Sequence, residues 1–161
     1  MEIVRATRDD VPQIMRLVES ARSIMRANGN MTQWADGYPT EDVIINDITC
    51  GNSYLCIEDG KAVATFAMIA GPDPTYTRIY DGYWLRETND YYVVHRIAST
   101  PKAHGVFHAI MTFCLQHTRH LRIDTHRDNT IMQHLLLQHD FTYCGIIRLA
   151  NNDDRLAYER V

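Results

Sequence analysis

The stretch His95–Phe107, HRIASTPKAHGVF, with the run HAIMTFCLQH at 108–117 behind it, decides how the chain is read. Its approach is aromatic or β-branched (Tyr91, Tyr92, Val93, Val94, then Ile97), which suits a pleated, half-buried strand. Pro101 has no N–H to donate and ends the ladder. Beyond it Val106, Ala109, Ile110, Phe113 and Cys114 recur at the three-and-four spacing of one buried helix face. A strand therefore runs through a short turn containing Gly105 into a helix N-terminus. The first N–H groups of that helix lack helical partners and converge on one spot. Such a spot favours an anion, most often a phosphate.

Working outward toward the C-terminus, Leu121–Thr125 is a short strand, and Thr125-His126-Arg127-Asp128 leads into a helix with Ile131, Met132, Leu135 and Leu136 as its apolar positions. Strand 143–149 follows Phe141, and the polar turn 151–154 connects it to a last strand, 155–160, as an antiparallel hairpin. Toward the N-terminus, 61–70 and 53–58 are strands joined by Asp59-Gly60, a type I′ hairpin signal. Thr40 caps a helix over 41–49 that Gly51 stops. Thr7 precedes first-turn acids and a long helix with Val11, Ile14, Met15, Val18, Ala21, Ile24 and Met25 on one face, ended by Gly29. Residues 2–6 form a first strand. Two aromatic segments fit no period: 31–39, with Trp34 and Tyr38, and 76–84, with Tyr83 and Trp84. Aromatics on a loop such as 31–39 are more commonly packing anchors but also suit a binding wall, and the place of 76–84 before the central strand slightly favours a wall there.

A chain of 161 residues suits one domain, 1–161, with a sizeable core. The net charge of −4 leaves no basic excess for phosphates and excludes a general nucleic-acid binder. No signal peptide and no apolar run long enough for a bilayer is visible, so no membrane partner is expected. The cysteines at 50, 56, 114 and 144 show no CxxC spacing and read as buried, reduced thiols of a cytoplasmic protein.

The segment around Gly105 resembles motif A of the GNAT superfamily of N-acyltransferases, [QR]-x-x-G-x-[GA] between strand and helix. Lys102, Gly105 and Phe107 occupy its positions, Phe standing where Gly or Ala is usual. Asn129, Met132, Leu135 and Phe141 match the spacing of motif B, N-x-x-[AM]-x-x-L-Y-x-x-x-G-F, with Leu136 in place of Tyr and Asp140 in place of Gly. The resemblance implies an α/β (α+β) fold: a mixed, mostly antiparallel sheet of about six to seven strands, helices on both faces, and a splayed parallel pair, 91–99 and 121–125. It implies acetyl-CoA as acyl donor and an N-acetyltransferase acting on a primary amine of a small molecule or peptide. The pantetheine would pair with backbone near Ile97, Ala98 and Ser99. The pyrophosphate would meet the amides of Lys102, Ala103, His104, Gly105, Val106, Phe107 and His108, with Asn129 and Met132 beside the cofactor.

For the proton acceptor the candidates are His95, Asp124 and His126. His95 stands out because imidazole titrates near neutral pH, whereas Asp124 also suits an orienting role. Trp34, Tyr38, Tyr83, Trp84 and His126 are the expected acceptor walls. Leu136 cannot supply a phenol for the leaving thiolate, but a thiol of pKa about 8.5 can take its proton from solvent. Two rival readings follow from the residues. Phe107 and Leu136 fit a module that binds acyl-CoA without transferring it. Asp124-x-His126-x-Asp128, or His104 with His108, suggests a metal site. The last hairpin offers an edge for a homodimer.

Overall fold

The computed structural model describes residues 1–161. Seven strands form one sheet: β1 (Glu2–Arg5), β2 (Ser53–Glu58), β3 (Lys61–Ala70), β4 (Tyr92–Ser99), β5 (Leu121–Thr125), β6 (Thr142–Arg148) and β7 (Asp154–Arg160). Four helices accompany them: α1 (Val11–Ala27), α2 (Glu41–Thr49), α3 (Val106–Leu115) and α4 (Thr130–Gln138). The Asp59–Gly60 turn places both residues at positive φ, 52° and 76°, the geometry that matches strand twist and brings β2 back along β3. Residues 8–10 form a single 3-10 turn before α1. There Asp10 accepts the Thr7 amide at 2.7 Å, so the capping acid precedes the helix proper.

The strand order is β1-β2-β3-β4-β5-β7-β6, and every pair is antiparallel except β4 with β5. That parallel pair meets only at Tyr92–Leu121 and Val93–Arg122 and then parts. The expected mixed sheet with a splayed parallel pair is the observed one. Helices cover both faces. Ile14, Leu17, Val18 and Ala21 of α1 and Ile44 of α2 pack on Leu55 and Ala98. Phe107, Ile110 and Cys114 of α3 and Leu136 of α4 pack on Cys56, Phe66, Val94 and Ile123. A third cluster, Tyr76, Tyr91, Val93, Ile147 and Ala157, lies under the connection from β3 to β4.

A bulge in β4 sets up the site. Register with β3 runs Ala67–His95, then resumes at Thr65–Ala98, and Arg96 adopts φ 54°. The extra residue lets His95 and Arg96 leave the strand consecutively toward one side, while Val94 and Ile97 both reach the α3/α4 core. Arg96 is then clamped by Asp47 of α2 through two bonds of 2.6 Å.

The connection between β3 and β4 is fastened from below. The Arg122 guanidinium lies 4.1 Å from the ring centres of both Trp84 and Tyr91, and its Nε donates to the fully buried Glu159 at 2.7 Å. Glu159 also accepts from the Leu85 amide. Tyr80 exchanges two 2.8 Å backbone bonds with Ile146, and the Tyr83 amide donates to Cys144 O, so this connection covers the outer edge of β6. The last hairpin's edge, expected to be open for pairing, is therefore occupied along 144–146. The cysteines also divide differently from the sequence expectation. Cys56, Cys114 and Cys144 are buried, and burial pushes their thiols up to about 12, 12 and 11, but Cys50 is exposed at the end of α2, where no core lies against it.

Candidate active site

Where β4 parts from β5, the β4 edge beyond Val93 has no strand partner. Two connected hollows open there. The narrow one, about 150 Å³, runs between α1, β4, α3 and α4 and is lined by Ile24, Ile97, Ser99, Val106, Phe107 and Met132 among others. At its mouth the amides of His104, Gly105, Val106, Phe107 and His108 donate to no atom of the chain. Gly105 holds φ +70°, and a Cβ there would meet nothing within 4 Å. Lys102, His104 and His108 are exposed around this turn, and Ala103 leans on the core. Ala98 is buried against α1 and offers only its backbone. The side chain of Phe107 turns inward beside Ile110 and lies edge-on to His139, ring centres 4.9 Å apart.

The larger hollow, about 460 Å³, continues past Ile97, Asn129 and Met132 to His95, Asp124, Thr125 and Arg155, with Trp34 and Tyr38 over it. The segment 30–38 is strapped across by side chains that its composition does not advertise. Arg22 donates to Tyr38 O, and Arg26 donates to Asn30 O and Gln33 O. Gln33 Oε1 accepts from Asn30 at 2.7 Å and from Asn129 at 3.1 Å, which ties the loop to the start of α4. His126 completes the strap. Its Nδ1 accepts the Asp128 amide at 3.0 Å, so Nε2 carries the proton and donates to Thr32 Oγ1 at 2.9 Å. Burial, then the Arg155 charge, holds the His126 imidazole below its ordinary range. It fastens the loop and lines neither hollow, so it is not the acceptor wall expected from the sequence.

His95 is set differently. Its Nε2 lies 3.0 Å from Asp73 Oδ2, so Nε2–H donates there and Nδ1 keeps the lone pair. Nδ1 faces Asp124 Oδ2 at 4.0 Å. Burial alone would raise the Asp73 carboxyl, but the His95 bond and charge and the Thr75 amide hold it below the usual carboxylate value. Asp124 accepts the Tyr76 hydroxyl at 2.6 Å. Burial, then Asp124, pushes that phenol well above its ordinary value, so Tyr76 stays a donor. The site thus holds a basic nitrogen and a carboxylate side by side, each fixed from behind.

His95 and Asp124, expected as proton-handling groups, line the same hollow; Asp73 and Tyr76, which hold them, and Arg96 and Arg155 beside them are not singled out as site residues by the sequence. Tyr83 and Trp84 are not brought to either hollow: Tyr83 is 76% exposed, and Trp84 packs on Tyr76 and Arg122 because Glu159 draws that segment down. Leu136 is fully buried in the α3/α4 core. No three His, Cys, Asp or Glu side chains group as a metal site requires; Asp128 stands off His126 at 3.7 Å, and His104 and His108 are exposed.

Comparison with solved structures is decisive. An acetyltransferase of the GNAT family from Streptococcus agalactiae superposes with a TM-score of 0.91 and 34% sequence identity, over 99% of this chain and 94% of that one. The chain belongs to the GNAT family. Other GNAT-family structures share the fold at lower identity. An acetyltransferase from Listeria monocytogenes matches at TM-score 0.68 and 18% identity, over 99% of this chain and 93% of that one. The GphF GNAT-like decarboxylase in complex with isobutyryl-CoA matches at 0.67 and 12%, over 100% and 99%. No protein-family model matches the sequence, and no curated protein does. In this chain the bulge at Arg96 and the parting of β4 from β5 open the hollow and bring His95 to it.

Proposed function

We propose that this protein transfers an acetyl group from acetyl-CoA to a primary amine. The observation that carries the reading is the juxtaposition of an unpaired β4 edge, a helix N-terminus with free amides, and a His95–Asp124 pair at the inner end of the same cleft. The residues present fit an acyl-CoA. The amides of His104–His108, with α3 behind them and Lys102 alongside, suit a pyrophosphate. The Asn30 Oδ1 atom, buried and without a partner, lies on the narrow hollow where an amide-bearing chain would pass. The bound isobutyryl-CoA of the GphF decarboxylase supports an acyl-CoA in this fold.

When bound, acetyl-CoA supplies the thioester that an amine attacks. Asp124 and His95 Nδ1, 4.0 Å apart, hold an ammonium between them. Nδ1 takes one proton and frees the nitrogen lone pair to attack, and the nitrogen's second proton goes to solvent as the amide bond forms and the C–S bond breaks. Asp73 stabilises the imidazolium that results. An unpaired N–H on the β4 edge suits the developing oxyanion. The leaving thiolate takes a proton from solvent, since Leu136 offers none. Trp34 and Tyr38 wall the acceptor end. The three buried free thiols support a site of action in the cytoplasm.

The buried Leu136 favours one second reading, an acyl-CoA-binding module without transfer. Calorimetric titration with acetyl-CoA beside a thiol-release assay over an amine panel separates the two. Binding with amine-dependent release supports the transferase, and binding without release supports the module. Absence of binding overturns both.

A further inference from the structure

Arg155 is a buried charged group of the larger hollow for which the mechanism has no use. It is 8% exposed and lines the hollow, yet no carboxylate of the chain pairs with it; its only hydrogen bond runs from Nη1 to Asp154 O at 3.0 Å. The other arginine there, Arg96, is spent on Asp47. Of the acids lining the hollow, Asp124 holds Tyr76 and Asp153 holds the Asn151 amide at 3.0 Å, while Asp36 is exposed at the rim. A buried guanidinium without a counter-ion is costly unless an anion arrives to meet it. The Thr125 hydroxyl, 1% exposed and lining the same hollow from the other face of β5, has no partner either.

Sheet register puts both groups on one face. Asp124 lies opposite Ala157, and Arg155 is two residues along β7, on the same face. Such diagonal neighbours have Cα atoms about 7–8 Å apart, and Ala157 beside them contributes only a methyl group. An amine at Asp124 and an anion at Arg155 are therefore within reach of one small molecule lying in the hollow.

We infer that the acceptor is an amino acid: a primary amine bearing a carboxylate, which Arg155 holds while the amine lies between His95 Nδ1 and Asp124. The inference rests on the reading of the cleft as an N-acetyltransferase site. A guanidinium matches a planar carboxylate with two parallel bonds, which a carboxamide cannot reproduce. A polyamine, the alternative suggested by the acids, would bring positive charge against Arg155.

The test sets the common L-amino acids against their own carboxamides, with acetyl-CoA as donor. The expected result is transfer to at least one amino acid with kcat/KM about 100-fold above its carboxamide. Arg155→Gln should erase that preference through the KM of the amino acid and leave the KM of acetyl-CoA unmoved, and Arg155→Lys should restore part of it. Circular dichroism checks that the variants fold. Calorimetry on the CoA-loaded wild type, with the same acid and carboxamide pairs, reads recognition independently of turnover. Equal use of acids and carboxamides, or a preference that survives Arg155→Gln, overturns the inference and leaves the transferase standing. Arg155-dependent binding without transfer overturns the transferase and leaves the carboxylate site. If the CoA-loaded protein binds no amino acid of the panel, the inference fails.

Discussion

His95 Nε2 lies 3.0 Å from Asp73 Oδ2, and the contact decides which ring nitrogen faces the cleft. Asp73 sits just after the cis Gly71–Pro72 bond, and its amide is held by the Tyr91 hydroxyl at 2.8 Å. The pairing therefore comes from the β3–β4 connection folding back on its own strand, not from neighbours in sequence. With Nε2 committed, only Nδ1 can accept a proton.

His95→Gln should lower kcat by about 100- to 10,000-fold, the range for loss of a positioned general base, with acetyl-CoA affinity unchanged. Asp73→Asn should cost less, since the ring stays in place and only the support for its charged form is lost. Steady-state kinetics beside acetyl-CoA titration reads both; an equal loss of affinity in His95→Gln would show that the ring holds the donor instead.

Gly82 packs against the backbone of β6, and a Cβ there would run into the Cys144 carbonyl oxygen. Backbone cannot swing aside as a side chain does. Gly82→Ala should destabilise by about 3 kcal/mol or more and loosen the connection that carries Asp73 and Tyr76. Urea melts give the loss, and a fall in kcat in the residual folded enzyme checks the coupling.

Local signals were legible in the sequence and distant ones were not. Helix 41–49 and the hairpin 53–70 lie where Thr40, Gly51 and Asp59-Gly60 put them, because caps and turn residues act on their immediate neighbours. His95 and Asp124 were legible as groups with suitable chemistry beside the cleft. Asp73, Tyr76 and Arg155 were not, because their roles depend on sheet register and on a connection whose course is set by the buried Arg122–Glu159 pair. Tyr83 and Trp84 misled for the same reason. Their composition suits a wall, but Leu85 and Arg122 draw the segment onto β7 and away from the hollow.

His126 makes stability depend on pH. Its folded pKa is depressed, first by burial, from an ordinary value of 6.5. On acidification below about pH 6.5 the unfolded chain takes up a proton that the folded ring refuses, so stability falls until the folded pKa is reached. Above that window the contribution is constant. Urea melts from about pH 8 to pH 5 should show a steeper loss in wild type than in His126→Gln, because the other histidines cancel in the comparison. Parallel curves would mean that the ring titrates alike in both states.

Gly105 separates backbone strain from binding. At φ +70° an L-residue costs about 1–2 kcal/mol, but the space around its Cβ is open. Gly105→Ala should therefore lose that much stability and keep acetyl-CoA affinity. Gly105→Glu has the same strain and adds a carboxylate beside amides suited to a pyrophosphate, so it should abolish binding. If both variants bind like wild type by calorimetry, the α3 N-terminus is not the phosphate cradle.

Phe107 tests the clearest departure from the family pattern. A phenyl ring where Gly or Ala is usual either obstructs the cleft or joins the core. Here it is 5% exposed, beside Ile110 and edge-on to His139, and its backbone amide remains free. Phe107→Ala should thus cost about 3–5 kcal/mol through the cavity it leaves. The ring also lines one side of the narrow hollow, so its loss widens that hollow without supplying a new contact. Acetyl-CoA affinity should stay within a few-fold of wild type under conditions where the variant remains folded. Affinity at least tenfold tighter, about 1.4 kcal/mol, would mean that the ring had been blocking the donor, and the transferase reading would give way to the binding module.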